Sequence, residues 1–289
     1  MHQLFSLRIR DGIVLASLIG LFIYCISNFV WDIPHADFRP FKKDANVREI
    51  KETELQAAAD VQVIGWEFTN SNTGEVASIL NPDYMAIYKS YPKEEGWKVD
   101  QIQSKPTLEP TKISEFEVVD TDGYDKTEEI LNDPNYALMI VSYKLKGDGQ
   151  EEKKATYQDT ILTIDTLQNG TISQSIDRIV EKEYTYTDYK WDDSFASDYT
   201  DIIKPFADKA KAEGLKTYAV VGGAGAEQLE DLKGELGLGL EMYTADDILL
   251  KTIVRSNPGI VLWKDGRIVH KWHKKKLPSY EEVKKEFIK

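Results

Sequence analysis

Residues 257–269 read NPGIVLWKDGRIV, a proline followed by two apolar runs with a turn sequence between them. The apolar runs, residues 260–263 and 267–272, have the length and the branched or aromatic composition of strands. Residues 264–266 are the short polar, glycine-containing stretch that joins the strands of a hairpin. The sequence therefore predicts an antiparallel hairpin that begins directly after Pro258.

Strands and helices alternate in the part of the chain that precedes and follows this hairpin. Residues 136–143 are almost continuously apolar, as in a strand buried on both faces, and residues 217–221 repeat the pattern. The predicted helices are residues 202–213, which end at Gly214, residues 226–236 and residues 280–288. This order predicts a mixed α/β sheet with helices on its faces.

A small β-rich region is predicted upstream, at residues 47–112. Residues 60–68 alternate between polar and apolar side chains, and residues 76–80 can return antiparallel to them. Pro106 and Pro110 resist both helix and central strand, so they mark the end of this region.

The second domain therefore covers residues 113–289, and it contains an insertion at about residues 147–189. The insertion is hydrophilic and rich in strand-forming residues. Its dipeptide Asn169-Gly170 is a strong local signal for the turn of a β-hairpin. The insertion separates the first buried strand from the helices that follow it.

The N-terminal residues 1–31 are predicted to be a membrane anchor, with residues 13–30 inserted in the bilayer. At a rise of 1.5 Å per residue these residues cover about 27 Å, close to the thickness of a hydrocarbon core. No small-x-small cleavage site follows, and Tyr24 before Cys25 is too large for a lipoprotein signal, so both cleaved alternatives are disfavoured. Positive charges on both sides leave the orientation open. Residues 32–46 are the predicted tether.

The formal net charge of −13 argues against nucleic acid or an anionic membrane surface as the main partner. Residues 251–289 are the exception, with 11 Lys+Arg against 4 Asp+Glu. This basic end is either a solvated face or a docking patch for an acidic partner or for lipid head groups.

The order of elements and the stretch around Pro258 resemble the thioredoxin fold, in which a proline, usually cis, precedes a strand, a turn and a second strand. The resemblance implies a cis peptide bond at Pro258. A thioredoxin also carries Cys-x-x-Cys after its first central strand, where residues 142–145 of this chain read SYKL. Cys25 is the one cysteine of the chain, so the resemblance implies the fold without thiol redox activity.

A second resemblance covers residues 21–280. The strings that carry it are DFRPF at 37–41, NDPNY at 132–136, YTADD at 243–247, TIVRSNPG at 252–259 and KWH at 271–273. They are similar to the last membrane helix and exported tail of DoxX-type membrane proteins of Bacteroidetes, in which four further membrane helices with a cysteine-bearing loop come first. The resemblance implies a single-pass protein of the inner (cytoplasmic) membrane with a periplasmic soluble region, and a DoxX-type membrane protein as its partner.

The candidate binding surface is the loop that contains Arg255, Asn257 and Pro258. In thioredoxin-like folds this loop lines the site against which partners lie. Support of the loop itself is the alternative role for each of the three residues.

Three other motifs favour structural explanations. Residues 222–226, GGAGA, lack the third glycine of a dinucleotide-binding loop and are predicted to be a turn. His270 and His273 stand three apart on a predicted strand and so point to opposite faces, which disfavours a shared metal ion. Asp246 or Asp247 suits the N-cap of a helix.

These observations predict a membrane-anchored periplasmic binding or accessory protein that is thioredoxin-like but redox-inactive and that partners a DoxX-type membrane bundle. The alternative is a cofactor-binding subunit of a membrane oxidoreductase. No cofactor, metal ion or catalytic residue is predicted for this chain.

Overall fold

The computed structural model describes residues 2–34, 36–166 and 172–288. The helices are α1 (His2–Phe29), α2 (Val47–Ala59), α3 (Tyr84–Ile87), α4 (Thr127–Leu131), α5 (Asp193–Ser197), α6 (Lys204–Ala212), α7 (Ala226–Glu235), α8 (Asp247–Ile253) and α9 (Tyr280–Phe287). The strands are β1 (Val63–Asn70), β2 (Val76–Leu80), β3 (Trp97–Gln103), β4 (Val119–Asp120), β5 (Tyr136–Ser142), β6 (Gly147–Thr166), β7 (Ile172–Trp191), β8 (Lys216–Gly222), β9 (Glu241–Ala245), β10 (Gly259–Lys264) and β11 (Arg267–His273).

The central feature is a six-stranded mixed sheet with the order β11-β10-β5-β8-β9-β4. Strands β5, β8 and β9 are parallel to one another, whereas the pairs β10–β11, β10–β5 and β4–β9 are antiparallel. The β10–β11 hairpin confirms the one predicted from residues 257–269. Asp265 and Gly266 adopt positive φ angles in its turn, which explains the glycine there.

Helices cover both faces of this sheet because β5 and β8 carry apolar side chains on both sides, as predicted. Leu138 and Ile140 of β5 belong to a core that includes side chains of α6, α7 and α9. Ala137, Met139 and Val141 face the other way, into a core that includes side chains of α4 and α8. Full burial of one such large aliphatic side chain contributes about 1.5–3 kcal/mol, so these two cores are the main source of stability.

The predicted helices of the sheet domain are present, and one of them has a different start. The helix predicted at 202–213 begins earlier, because α5 and a π-helical stretch, Asp198–Ile203, lead directly into α6. Asp192 starts this run by accepting a hydrogen bond from the Phe195 backbone N at 2.9 Å. Strand β9 was not predicted, since its five residues show no clear apolar alternation.

Residues 47–112 open with a helix that the sequence did not predict. Asn46 caps α2 by accepting a hydrogen bond from the Glu49 backbone N at 3.3 Å. The Val47 backbone N donates to the Gly266 carbonyl at 2.8 Å, so α2 packs on the β10–β11 hairpin. The strands of this region form a separate sheet with the order β2-β1-β3, which confirms the predicted pairing of its first two strands.

The insertion forms one long antiparallel ribbon. Strands β6 and β7 have 20 residues each and pair along their length, with register shifts near Gly147 and Ile161. The predicted turn at Asn169-Gly170 lies outside the described residues.

Helix α1 is long and apolar enough to cross a membrane over Ile9–Asn28. Side chains at residues 9–24 are exposed, so this is not a core helix of the domains. The predicted span, residues 13–30, lies within α1 except for Val30, which follows the helix. A secretory signal sequence shares this length and composition.

Candidate functional site

The proline loop, residues 255–258, connects α8 to β10 and contains a cis peptide bond between Asn257 and Pro258, as predicted. Asn257 is buried, and its Nδ2 donates to the Lys144 carbonyl oxygen at 2.6 Å. The Lys144 backbone N donates in return to Asn257 Oδ1 at 3.4 Å. The loop therefore lies against the segment that follows β5.

A second set of hydrogen bonds fixes the loop to the segment that follows β11. Ser256 Oγ accepts from the Lys274 backbone N at 2.9 Å and donates to the Pro258 carbonyl. The Lys274 ammonium donates to the Asn257 carbonyl at 3.0 Å and forms an ion pair with Asp198. Because Ser256 and Asn257 are buried, breaking these bonds would leave unpaired polar groups, so the loop is held in one conformation.

Lys271 on β11 is a buried cation beside the loop. Its side chain is 3% exposed, and its Nζ donates to Asp37 Oδ2 at 2.6 Å. The same Nζ donates to the carbonyls of Phe41 at 2.6 Å and Ile253 at 3.0 Å. These bonds join β11, the end of α8 and residues 36–46, so much of the predicted tether is fixed to the sheet. Phe41 is fully buried there.

The pKa values of Asp37 and Lys271 are each set by opposing effects of burial and of charged neighbours. Burial alone would raise the pKa of Asp37, but hydrogen bonds from Arg39 and Lys271 outweigh it and lower the pKa to about 2. Burial lowers the pKa of Lys271 to about 8, against the attraction of Asp37. Both groups are therefore charged at neutral pH. The three acceptors around Lys271 match the three N–H bonds of its ammonium, which offsets the cost of burying it.

A cleft of about 390 Å³, here called the junction cleft, opens beside this ion pair. Its lining includes Tyr24 and Asn28 near the end of α1, Asp37, Phe38 and Arg39 from the segment after α1, and Arg255 from the proline loop. The cleft therefore lies where the apolar helix meets the sheet domain.

Two guanidinium groups give the junction cleft a positive character. Arg39 donates to the Asp37 carboxylate from Nε at 2.7 Å and from Nη2 at 2.9 Å. Its Nη1 is buried and has no hydrogen-bond partner among the described residues. Arg255 is exposed, and Asp37 is already neutralised by Arg39 and Lys271. The cleft thus has an excess of positive charge, which suits a carboxylate or a phosphate.

The structure separates the three residues predicted for the binding surface. Arg255 lines the junction cleft and is exposed, so it is placed to contact a ligand. Asn257 and Pro258 instead support the loop through the bonds described above. Phe38, which is 94% exposed, and Arg39 were not predicted. Their one signal in the sequence was that residues 37–41 belong to the strings on which the predicted resemblance rests, and that resemblance assigns no role to either residue.

The other sequence motifs have structural roles. Within residues 222–226, Gly222 ends β8, Ala226 begins α7 and residues 223–225 form the turn between them. Asp246 caps α8 by accepting from the Leu249 backbone N at 2.7 Å. His273 Nδ1 accepts from the Lys275 backbone N at 3.1 Å. Within the ranges that the structure describes, no group of three or more metal-binding side chains occurs.

Gly222 is required for close packing. A Cβ atom at this position would lie 2.6 Å from the Tyr143 carbonyl oxygen and 2.9 Å from the Asp247 Cα. Since both contacts are to backbone atoms, we expect Gly222→Ala to lower the free energy of unfolding by about 1–3 kcal/mol in urea titrations of the full chain in detergent micelles. Gly225→Ala is the matched control, because a Cβ there meets nothing within 4 Å. Equal losses in the two variants would contradict the packing argument.

Comparisons with known proteins assign no family to the chain. A scan against protein-family models gives no match, and a search of the curated proteins finds no similar protein.

Proposed function

We propose that this chain is a membrane-anchored recognition protein whose junction cleft binds an anionic group of a membrane-embedded partner. The observation that carries the proposal is a cleft lined by Arg39 and Arg255, in which the Asp37 carboxylate is already paired with Arg39 and Lys271. A carboxylate bound in this cleft gains charge-assisted hydrogen bonds from the guanidinium groups.

The position of the cleft favours a partner in the membrane. Asn28 lies one residue before the end of α1, at the level where a membrane span meets water. Phe38 is almost fully exposed on the cleft wall, and such an apolar side chain beside cations suits contact with a partner helix.

The basic C-terminal region also lies near the end of α1. The Lys275 ammonium is 4.6 Å from the centroid of the Trp31 ring. Lys276 shares a shallow apolar recess with Phe22 and Ile26 of α1. Of the two interpretations of the basic end, this placement favours a docking patch for an acidic partner over a solvated face.

On this proposal the six-stranded sheet is thioredoxin-like but carries no thiol chemistry. The support is the hairpin that follows a cis proline and the contact of the proline loop with Lys144, at the place where a thioredoxin has its cysteines. By the resemblance of residues 21–280, the partner is a DoxX-type protein of the inner membrane, the domain is periplasmic, and the partner's cysteine-bearing loop supplies any electron chemistry.

Site-specific photocrosslinking of the full chain in native membranes tests the proposal. Benzoylphenylalanine replaces Phe38, which is 94% exposed, and in the control it replaces Tyr124, which is 69% exposed in the turn after β4 at the opposite edge of the sheet. We expect a crosslink from position 38 to a polytopic membrane protein, identified by mass spectrometry, and none from position 124. Recovery of a DoxX-type protein would support the proposed class of the membrane partner.

Reversing the charge of one arginine in the junction cleft tests whether the cleft binds an anionic group. Arg255→Glu, combined with the probe at position 38, places a negative charge where the partner's anionic group binds. We expect the crosslink yield to fall about tenfold or more, because like charges in an interface cost several kcal/mol. An unchanged yield, equal crosslinking from both positions, or crosslinks to lipid alone would contradict the proposal.

A further inference from the structure

A separate cavity of about 290 Å³ lies on the small sheet. It is enclosed by β1 and β3 on one side and by residues 84–93 on the other. The volume is at the lower end of the range for ligand pockets, so the cavity has room for one small ring-bearing molecule.

The walls of this cavity are aromatic. They include Phe68 and Trp97 from the strands and Tyr84, Tyr88 and Tyr91 from the covering segment. The Phe68 and Tyr91 rings stack with their centroids 4.4 Å apart, and Trp97 meets Tyr91 edge-on at 4.8 Å. Because the rings hold one another in place, a ligand ring meets preformed aromatic surfaces and little ordering is required.

Besides Pro92 and Val99, the rest of the lining consists of lysines, and no acidic residue lines the cavity. Lys89, Lys93 and Lys98 line the cavity, and none of the ion pairs among the described residues includes them. Glu94 and Glu95 follow Lys93 in the chain but do not line the cavity. In a chain with a net charge of −13 this is a local excess of positive charge. The aromatic rings can serve as the core of the small sheet, whereas the three lysines are exposed and line the same cavity.

We propose that this cavity binds a small aromatic carboxylate, with its ring among the tyrosines and its carboxylate facing Lys89 and Lys93. Stacking and edge contacts between aromatic rings select the ring, and the lysines select the charge. A neutral sugar suits the cavity less well, because it offers no negative charge to Lys89, Lys93 and Lys98. The inference does not rest on the proposed function, since none of these residues lines the junction cleft.

The test uses three probes with the full chain in detergent micelles, measured by isothermal titration calorimetry and saturation-transfer NMR. Benzoate has the ring and the charge, benzamide keeps the ring without the charge, and cyclohexanecarboxylate keeps the charge without the aromatic ring. We expect saturable binding of benzoate, and at least about fivefold weaker binding of each of the other two. No saturable binding of benzoate, or affinities within twofold for all three probes, would overturn the proposal.

Substitutions of the lysines then test whether benzoate binds in this cavity. The double substitution Lys89→Gln/Lys93→Gln is expected to weaken benzoate binding about fivefold and to leave benzamide binding unchanged. The control Lys105→Gln/Lys146→Gln removes the same charge from two exposed lysines outside the cavity. Equal weakening in both doubles would show a general charge effect and would overturn the site. A thermal midpoint that matches the parent chain shows that each variant is folded.

Discussion

Replacing Lys271 with methionine is expected to lower the free energy of unfolding by about 3–5 kcal/mol, the range for breaking a buried ion pair. Methionine keeps the apolar stem but removes the three hydrogen bonds of the ammonium. The buried Phe41 and Ile253 carbonyls lose their donor, and Asp37 loses one of its two cations. The measurement is urea unfolding of the full chain in detergent micelles at pH 7, followed by tryptophan fluorescence.

Lys285→Met is the control for this experiment. Lys285 is exposed on α9, so its replacement is expected to change the stability by no more than about 0.5 kcal/mol. The double variant Lys271→Met/Asp37→Asn should lose at least about 1 kcal/mol less than the two single losses combined, because the residues share one interaction. A loss below about 1 kcal/mol for Lys271→Met alone would show that the ion pair is not a determinant of stability.

Loss of Lys271 also affects the proposed binding surface. The segment that carries Phe38 and Arg39 is attached to β11 through the Lys271–Asp37 contact. When that attachment is broken, residues 36–41 lose their fixed position beside the proline loop. We therefore expect Lys271→Met to reduce the photocrosslink from position 38 even where the protein remains folded.

Much of the sheet domain could be predicted because its signals are local. Buried strands such as β5 and β8 consist of continuous apolar residues, and the β10–β11 hairpin has its turn residues in the middle. Pro258 restricts its own φ angle, and the positive φ angle of Gly266 is a local requirement of the turn. Gly266 also has a requirement that the sequence does not show, because a Cβ there would lie 2.8 Å from the Leu131 carbonyl oxygen. Arg255 could be predicted as a binding residue because it lies three residues before Pro258 in the proline loop.

The ion pair and most of the cleft could not be predicted in the same way. Lys271 and Asp37 are 234 residues apart in the sequence, and no pattern within either stretch links them. A lysine on a strand is normally exposed, and residues 32–46 read as a polar connector. Arg39 becomes a candidate only when the fold shows that two of its nitrogens bind Asp37 and that it lines a cleft together with Arg255.

Asp37→Asn is expected to have the clearest pH signature of any substitution in the chain. The pKa of this carboxyl is about 2 in the folded protein, below its ordinary value of 3.8. The unfolded chain therefore takes up the proton first as the pH falls. The carboxylate contributes stability that is fully present above about pH 4 and is lost as the pH falls towards 2, and its size is about 2 kcal/mol.

The variant is expected to lack this contribution. At pH 7 it should be less stable than the parent chain by at least about 2 kcal/mol, since Lys271 and Arg39 lose a charged partner. Between pH 4 and pH 2 the difference in stability between the two chains should shrink. Protonation of Asp37 removes its negative charge from the parent chain, and the variant already lacks that charge. Urea titrations at pH 7, 4, 3 and 2.5 measure that difference.

Asp122→Asn is the matched control, an exposed aspartate in the turn after β4, and at pH 7 its stability should lie within about 0.5 kcal/mol of that of the parent. Other carboxylates titrate over the same range in all three chains, so only the difference between the curves reports Asp37. A constant gap between the parent and Asp37→Asn from pH 7 to pH 2.5 would mean that the folded protein does not lower the pKa of Asp37. In that case Lys271 and Arg39 would not act on one carboxylate, and the positive junction cleft would lose its electrostatic basis.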